Sequence, residues 1–465
     1  MSTKSSRPNI LLIIADDHRS DAMGAMGHAV VSTPNLDVLA RRGTSFTRAI
    51  IGGGLMAAVC APSRAALFTG LNPFRADAEP RIRRSGPYEV RLRADICTLP
   101  GRFRQEGYDT FFTGKWHNDL PSLLRSFASG DMIFHGGMCD HERVPVRNLD
   151  EISHGAPERI ATGFSTALFC GAAEEFIRSR AMNGGESRAN PFFACMALTS
   201  PHDPRTPPPS FRARYSISEM PLPDNFLPQH AFDNGELCVR DEQLIARPIS
   251  PMVLREHLAD YYGMISHHDA WIGRLLNALA STGQLGNTIV VYTGDHGLAL
   301  GSHGLLGKQN LYEHSVRVPL VLAGPGIPEG LRSDSLCYAY DLCATLYELA
   351  GIPVPKGIDS RSLVPALAAG SRFGRDRVGS AYMDVQRMVE DRRWKLILYR
   401  VGERERMQLF DLENDPSERF DLSSLPEHQE TLKGLRRSLE AWQAEMGDRW
   451  MTVSPTAGKL GPALP

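Results

Sequence analysis

The first 300 residues contain four short apolar runs that each end in polar, titratable side chains. Asn9–Ala15 is a run of isoleucine and leucine, which is typical of a strand buried on both faces in a mostly parallel sheet. The other three runs are Asp109–Thr113, Phe192–Leu198 and Thr288–Thr293. Apolar residues recur at helical spacing through Pro251–Ala280, and such stretches between the runs predict alternating strands and helices. The predicted fold class is therefore α/β.

Titratable residues follow every one of the four predicted strands. In chain order they are Asp16 and Asp17, Lys115 and His117, His202, and Asp295 and His296. Ligands of open α/β sheets bind at the carboxyl ends of the strands, so we expect one composite site. Two adjacent carboxylates such as Asp16 and Asp17 repel each other unless they share a cation. The alternative is a solvated loop with an aspartate helix cap, but the repetition at four strand ends favours the shared site.

A fifth stretch, Val59–Gly70, has the features of a helix that begins at an anion site. Pro62 suits the first turn of a helix and Gly70 suits its end. Cys60 is then expected just before the helix N-terminus, where free backbone N–H groups and the helix dipole favour an anion. Arg64, one turn further on, adds a full positive charge. The alternative is that Cys60 is an ordinary buried cysteine.

Two regions interrupt the alternation, and the C-terminal part changes character. Pro121–Arg159 is rich in glycine, histidine and arginine, and Asp203–Pro251 is rich in proline. We predict long loops there that wall the substrate pocket. From about Ser371, four short strand patterns and the helical pattern Glu427–Glu445 predict an antiparallel sheet with a helix. The tail Ser454–Pro465 is expected to be loosely held.

Charge and cysteine content narrow the function classes. The chain has 51 Lys and Arg against 53 Asp and Glu, so no overall basic field indicates nucleic acid or an anionic membrane as a partner. The apolar run Ile10–Ala15 is too short for a signal peptide or a membrane span. The eight cysteines include no C-x-x-C pair, which favours reduced thiols over disulfides or a zinc site. We expect a cytoplasmic protein with a small-molecule partner.

The motif Cys60-Ala61-Pro62-Ser63-Arg64 resembles the signature of the type I sulfatases. Further blocks resemble that family in the same order: Asn9–Asp17, Gly114–His117, Ser200–His202, Thr293–Gly297, Gly307-Lys308 and Gln408–Leu412. The resemblance implies an alkaline-phosphatase-like fold, in which helices sandwich a mixed, mostly parallel sheet. It also implies a catalytic domain at residues 1–370 and a smaller C-terminal α+β domain at residues 371–465.

The resemblance also implies a metal site. Its ligands would be Asp16, Asp17, Asp295, His296 and the modified Cys60. Three carboxylates form a hard oxygen site, for which Ca²⁺ is our first choice and Mg²⁺ the second. Many relatives have Asn at the position of His296, and an imidazole there also admits Mn²⁺.

Catalysis, by the same resemblance, depends on oxidation of Cys60 to formylglycine by a maturation enzyme. The hydrated aldehyde would attack sulfur, and its second hydroxyl would then expel sulfate, with His117 as the expected base. His202 would protonate the leaving-group oxygen. Arg64, Lys115 and Lys308 would supply fixed positive charge, the lysines on the sulfate oxygens.

Several neighbouring residues receive subordinate predictions. His303, Tyr312 and Glu313 bracket Lys308 in the sequence and are candidates to support it from behind. His267 and His268 lie in the middle of a predicted helix and are interpreted as packing residues.

The predicted activity is hydrolysis of a sulfate ester, with a small carbohydrate sulfate as the expected substrate. One alternative is a phosphonate monoester or phosphate diester hydrolase of the same superfamily, because these tetrahedral anions present similar charge to the site. A second alternative is a non-catalytic anion-binding protein in which Cys60 is never converted. The sequence predicts no particular oligomeric state.

Overall fold

The structure is a computed structural model that describes residues 7–86, 88–181 and 190–450. The C-terminal tail Ser454–Pro465, expected to be loosely held, lies outside the described residues. No helix in these ranges is long and apolar enough to span a membrane.

Eighteen strands are present in the described residues. They are β1 (Asn9–Ala15), β2 (Gly43–Phe46), β3 (Ala49–Ile50), β4 (Gly53–Gly54), β5 (Asp109–Lys115), β6 (Ser129–Phe134), β7 (Arg143–Val146), β8 (Arg159–Thr162), β9 (Phe192–Ala197), β10 (Thr288–Gly294), β11 (Arg317–Val318), β12 (Leu320–Ala323), β13 (Leu331–Ser333), β14 (Cys337–Tyr338), β15 (Val378–Tyr382), β16 (Gln386–Glu390), β17 (Trp394–Val401) and β18 (Arg404–Asp411).

Twelve α-helices accompany them in the same ranges. They are α1 (Pro34–Arg41), α2 (Cys60–Thr69), α3 (Pro73–Ala76), α4 (Leu99–Gln105), α5 (Leu120–Ser126), α6 (Leu149–Ser153), α7 (Ser165–Ser179), α8 (Pro209–Arg212), α9 (Pro251–Ser281), α10 (Glu313–Val316), α11 (Leu342–Leu349) and α12 (Gln429–Met446). Short 3₁₀ turns, such as Arg240–Gln243, connect some of these elements.

The central sheet has eight strands in the order β13-β2-β12-β10-β1-β9-β5-β6. Strands β10, β1, β9, β5 and β6 run parallel, and β12 runs antiparallel to both of its neighbours. The four predicted strands therefore lie side by side in the middle of this sheet. The predicted mixed, mostly parallel sheet is confirmed.

Strand β1 shows why the sheet is sandwiched by helices. Ile10, Leu12 and Ile14 belong to one apolar core, and the alternating residues Leu11 and Ile13 belong to another. Side chains alternate between the two faces of a strand, so an uninterrupted apolar run needs cover on both faces. Helices α2, α4 and α11 contribute to the first core, and α1, α7 and α9 contribute to the second.

The C-terminal part forms a five-stranded sheet in the order β18-β17-β16-β15-β4. Strands β15 to β18 pair antiparallel, and α12 packs on them through residues such as Leu439 and Trp442. The predicted antiparallel sheet and helix are both present. The fifth strand, β4, comes from the N-terminal half and pairs with β15 in parallel. The domain boundary near residue 370 stays a prediction.

The expectation of two long unstructured loops is wrong for one of them. The region 121–159 contains most of α5, strands β6 and β7, and α6. Its strands are short and only partly buried, so their sequences lack the continuous apolar runs that mark the central strands. The region 203–251 contains only α8 and 3₁₀ turns between its ends, as the proline content predicts.

Gly114 allows β5 to approach its neighbour closely just before Lys115. Its φ is +95°, and a Cβ atom there would lie 1.9 Å from the carbonyl oxygen of Ala197. We expect Gly114→Ala to lower the free energy of unfolding by about 3 kcal/mol or more, measured by urea denaturation. Gly171→Ala is the matched control, since a Cβ at this α7 position meets nothing within 4 Å. Equal stability of both variants would contradict the close approach.

Candidate active site

The exits of four central strands and the start of α2 meet at one edge of the sheet. Asp16 and Asp17 follow β1, and Asp295 and His296 come at and after the end of β10. Lys115 ends β5. These five side chains are at most 1% exposed, so the predicted composite site exists as a buried polar cluster.

Cys60 is the first residue of α2 rather than the residue before the helix, because Val59 already has helical backbone angles. Pro62 lies in the first turn and Gly70 ends the helix in the left-handed conformation, as predicted. The Cys60 Sγ atom lies 3.2 Å from Nδ1 of His117 and 3.6 Å from Nζ of Lys115. Burial would raise the pKa of the thiol, but Lys115 and His117 hold it well below its ordinary value.

The carboxylates and His296 leave several buried polar atoms without a hydrogen-bond partner. These are Oδ1 of Asp16, Oδ2 of Asp17 and Nε2 of His296. One donor atom from each of Asp16, Cys60, Asp295 and His296 lies within 4.8 Å of the others. Unpaired buried oxygens of this kind are costly unless a cation binds them. The residues present therefore fit a divalent cation with mostly oxygen ligands.

Three buried, positively charged side chains neutralise the carboxylates. Nε of Arg64 donates to Asp295 Oδ2 at 2.8 Å. Nζ of Lys115 donates to Asp16 at 2.5 Å, and Nζ of Lys308 donates to Asp17 at 2.8 Å. The two lysines were predicted to contact sulfate oxygens, whereas here their closest partners are carboxylates.

The electrostatic consequences differ between the carboxylates. Burial alone would raise the pKa of Asp16, but Lys115, His202 and Arg64 hold it well below its ordinary value. The pKa of Asp295 is raised by burial and by the nearby Asp16 carboxylate. A divalent charge among these groups would lower the pKa of both carboxyl groups.

His202 faces the same cavity from the loop after β9. Its Nδ1 donates to the backbone oxygen of Asp203 at 2.8 Å and lies 3.3 Å from the carboxylate of that residue. This contact fixes the ring and leaves Nε2 available to a substrate. His141 Nε2 also hydrogen-bonds the backbone oxygen of His202, at 3.0 Å. This placement is compatible with a general acid, and that role of His202 stays a prediction.

A cavity of about 680 Å³ opens in front of Cys60, His117, His202 and Lys308. Its walls come from both regions that interrupt the predicted alternation, through Met138 on one side and Glu236 to Asp241 on the other. Sequence reasoning did not single out Arg84, Glu236, Arg240 or Asp241. Their loops carry no periodic pattern. Glu236, Arg240 and Asp241 lie within the proline-rich region that was predicted to wall the pocket, whereas Arg84 lies outside both predicted regions.

Some of the subordinate predictions are corrected. Glu313 pairs with Lys395 at 2.8 Å rather than with Lys308. His303 stacks on Tyr312 with 3.9 Å between the ring centroids. The nearest further partner of Lys308 is instead Asp241, at 3.9 Å.

The packing interpretation of His267 and His268 agrees with the structure. Both side chains are buried in α9. Nε2 of His267 accepts from the indole of Trp271, and Nε2 of His268 contacts the Tyr292 hydroxyl at 3.1 Å.

Comparison with known proteins decides the family. The sulfatase family model matches residues 8–352, and the model for the C-terminal part of N-sulphoglucosamine sulphohydrolase matches residues 301–445. The chain belongs to the sulfatase family. The predicted family and enzyme class, a sulfuric ester hydrolase, are thereby confirmed.

Two curated sulfatases and one solved structure illustrate the relationship. This sulfatase is 27% identical to an arylsulfatase of Clostridium perfringens, covering 93% of this chain and 94% of the relative. It is 26% identical to an N-acetylglucosamine-6-O-sulfatase of Bacteroides thetaiotaomicron, covering 96% and 88%. A structure solved with its substrate D-glucosamine-2-N,6-O-disulfate superposes with a TM-score of 0.79 at 23% identity, covering 95% of this chain and 99% of the other. The predicted fold is confirmed.

The raised pKa of His296 leads us to expect that the cation affinity of this sulfatase depends on pH. Burial would lower this pKa, but Asp295 and Asp17 raise it to about 9. A ligating imidazole must be neutral, so below pH 9 a cation has to displace a proton. We expect the affinity for Ca²⁺ to rise by up to about tenfold per pH unit between pH 7 and 9.

Isothermal titration calorimetry of the Cys60→Ala protein measures this dependence without a contribution from the thiol. In His296→Asn the rise should be absent, because an amide ligand does not titrate. A pH-independent affinity in the histidine-containing protein would contradict His296 as a ligand.

Proposed function

We propose that this protein hydrolyses the sulfate ester of a carbohydrate through a formylglycine derived from Cys60. We further propose that a divalent cation, with Ca²⁺ the first choice, is held by Asp16, Asp17, Asp295 and His296. The observation that carries the proposal is the position of Cys60. It lies at the start of a helix and within 3.6 Å of both Lys115 and His117, beside carboxylate oxygens that lack partners.

The chain's own residues supply binding and proton transfer. Formylglycine at position 60 would supply the nucleophile, and the cation would supply positive charge next to it. Lys115 and Lys308 would contact the sulfate oxygens, and a cation held by Asp16 and Asp17 would supply the positive charge that these carboxylates need. Each such preorganised charge in a buried site stabilises the transition state by about 3 kcal/mol.

Two histidines divide the proton transfers. His202, when both of its ring nitrogens are protonated, would donate from Nε2 to the leaving-group oxygen while its Nδ1 donates to the backbone oxygen of Asp203. His117 is 6% exposed and its Nδ1 faces position 60. Burial and Lys115 lower its pKa even though the neighbouring thiolate opposes them. The neutral ring is therefore available as a base at ordinary pH.

Two observations support a carbohydrate as the alcohol part. The cavity of about 680 Å³ falls within the range that holds ligands of the size of a small saccharide. A relative covered over 88% of its length carries the name N-acetylglucosamine-6-O-sulfatase. The cavity lining combines apolar side chains such as Tyr88 and Met138 with charged ones such as Glu236 and Arg240.

The test compares kcat/KM for three esters, with protein produced together with a maturation enzyme. The esters are an aryl sulfate, an aryl phosphonate monoester, and members of a panel of monosulfated sugars. We expect the aryl sulfate to be cleaved much faster than the phosphonate, and at least one sugar sulfate to be better than both. Faster cleavage of the phosphonate would overturn sulfate as the preferred group.

Conversion of Cys60 has its own readout. The mass of the peptide that bears residue 60 distinguishes formylglycine from a thiol. An unmodified thiol in an active preparation would remove formylglycine from the proposal. An unmodified thiol in a preparation that turns over no ester would favour the anion-binding protein in which Cys60 is never converted.

We also propose a reducing compartment, in line with the expected cytoplasmic location. All eight cysteines are free thiols, and five of them are buried. Cell fractionation tests this proposal, and recovery of the protein outside the cytoplasm would contradict it.

A further inference from the structure

The outer wall of the cavity carries two half-exposed arginines whose positive charges are already paired. Nη1 of Arg84 donates to Oε1 of Glu236 at 3.0 Å, and its other terminal nitrogen contacts Asp384. Arginines in such a wall could recognise a second anionic group on the substrate if they were unpaired. Arg84 has both of its terminal nitrogens engaged by carboxylates.

Arg240 is engaged in the same way. Its Nη1 donates to Asp241 at 3.0 Å and to Asp203 at 3.3 Å, and its Nη2 contacts Asp203 as well. Asp203 is 6% exposed and Asp241 is 8% exposed, so these carboxylates are not free to move away from the arginine. The guanidinium therefore offers little net attraction to an incoming anion.

The carboxylates at this wall outnumber its arginines. Arg84 and Arg240 contact four carboxylates, of which Glu236 and Asp241 line the cavity and Asp203 and Asp384 do not. Lys308 is the remaining lysine or arginine among the cavity-lining residues that the structure describes, and it pairs with Asp17 at 2.8 Å and lies 3.9 Å from Asp241. Each of these three cationic side chains is therefore already paired with a carboxylate.

The wall retains capacity to accept hydrogen bonds. Each carboxylate oxygen can accept about two. Oε1 of Glu236 accepts from Arg84, and its Oε2 accepts from Tyr382 at 3.4 Å. Oδ2 of Asp241 accepts from Gln309 at 2.9 Å. The remaining lone pairs suit hydroxyl donors, and Tyr88 beside them offers an apolar surface.

We propose that this wall selects a substrate whose body is uncharged and hydroxylated and that carries a single sulfate. A second sulfate or a carboxylate on the same substrate is disfavoured, because it would meet carboxylates whose negative charge exceeds that of the two arginines. This inference rests on the proposed sulfatase activity and assigns the specificity role to the Arg84–Glu236 and Arg240–Asp241 pairs.

The test uses an aryl sulfate and the same compound with a carboxymethyl group on the ring. The methylene insulates the leaving group, so the two substrates differ mainly in one negative charge. We expect the wild-type enzyme to prefer the compound without the carboxymethyl group by about tenfold in kcat/KM. Equal or faster turnover of the carboxymethyl compound overturns the proposal.

Two variants with opposite changes of charge make the test independent of folding. Glu236→Gln removes one negative charge and should reduce the preference by about three- to tenfold. Arg84→Gln removes one positive charge and should increase it by a similar factor. A purely structural role would lower both rates and leave their ratio unchanged. Movement of the ratio in the same direction in both variants would therefore overturn the proposal.

The sugar panel separates this inference from the proposed function. If no sugar sulfate is cleaved but the charge preference follows the two variants, the carbohydrate assignment fails and the charge selection stands. Disulfated sugars are added to the panel for this comparison. If monosulfated sugars with no other charge are cleaved but disulfated sugars are cleaved faster, the activity stands and the charge selection fails.

Discussion

Cys60→Ala should reduce turnover of an aryl sulfate by about 10⁵-fold or more, to the limit of detection. When catalytic residues act as a unit, removing the nucleophile alone lowers the turnover rate about as much as removing all of them together. The remaining positive charges of Lys115 and Lys308 can bind a sulfate group but cannot cleave the sulfate ester. The measurement is kcat at saturating substrate, with binding of inorganic sulfate followed separately by calorimetry.

The control for this variant is Cys195→Ala. Cys195 is as buried as Cys60 but lies within strand β9, in the apolar core. Its replacement removes a thiol and about 1 kcal/mol of packing energy without touching the site, so activity should be retained. Loss of activity in both variants would contradict Cys60 as the nucleophile precursor. Residual turnover by Cys60→Ala above about 1% of the wild-type rate would contradict it as well.

Arg64→Met should lower the free energy of unfolding of the cation-free protein by about 3 to 5 kcal/mol. The guanidinium is fully buried, 2.8 Å from Asp295 and 3.8 Å from Asp16. Removing one partner of a buried ion pair leaves the other charge uncompensated, which costs more than the pair contributes as a whole. The thioether replaces the volume of the side chain but not its charge, and urea denaturation measures the loss.

The comparison variant is Arg178→Met, which removes a half-exposed arginine from its pair with Glu174 on α7. An exposed pair of this kind is worth about 0.5 kcal/mol or less. Addition of Ca²⁺ should reduce the deficit in unfolding free energy of Arg64→Met relative to wild type, because the cation neutralises the same carboxylates. The deficit of Arg178→Met relative to wild type should stay the same, because Ca²⁺ stabilises that variant and the wild type equally. Equal losses in the two variants would show that Asp16 and Asp295 are not charged in the fold.

The central sheet and the ends of its strands can be predicted from sequence because their signals are local. The run Asn9–Ala15 is apolar at every position but its first, and the strand has these bounds in the structure. Asp16 and Asp295 follow their strands directly, so parallel pairing of neighbouring strands brings them together without further information. The start of α2 is similarly marked by Pro62 and Gly70.

The two regions that wall the cavity were predicted, but the individual wall residues could not be, because they meet through long loops. Glu236 lies 5 residues before Asp241 in a segment with only a 3₁₀ turn, and Arg84 reaches it from a distant part of the chain. No periodicity marks such positions, and either arginine alone is more often a solvated surface residue. The error in region 121–159 has a related cause, since half-buried strands such as β7 have no long apolar run.

Strand β4 makes the folding of one segment of this protein wait until late in translation. Gly53 and Gly54 lie a few residues before Cys60, yet they pair with Ala381 and Tyr382 of β15, more than three hundred residues later. The segment that leads into Cys60 therefore cannot reach its final position until most of the chain has left the ribosome. In the finished fold the thiol is 2% exposed. If Cys60 is converted as proposed, the long interval of translation would thus be the period in which the maturation enzyme reaches this side chain.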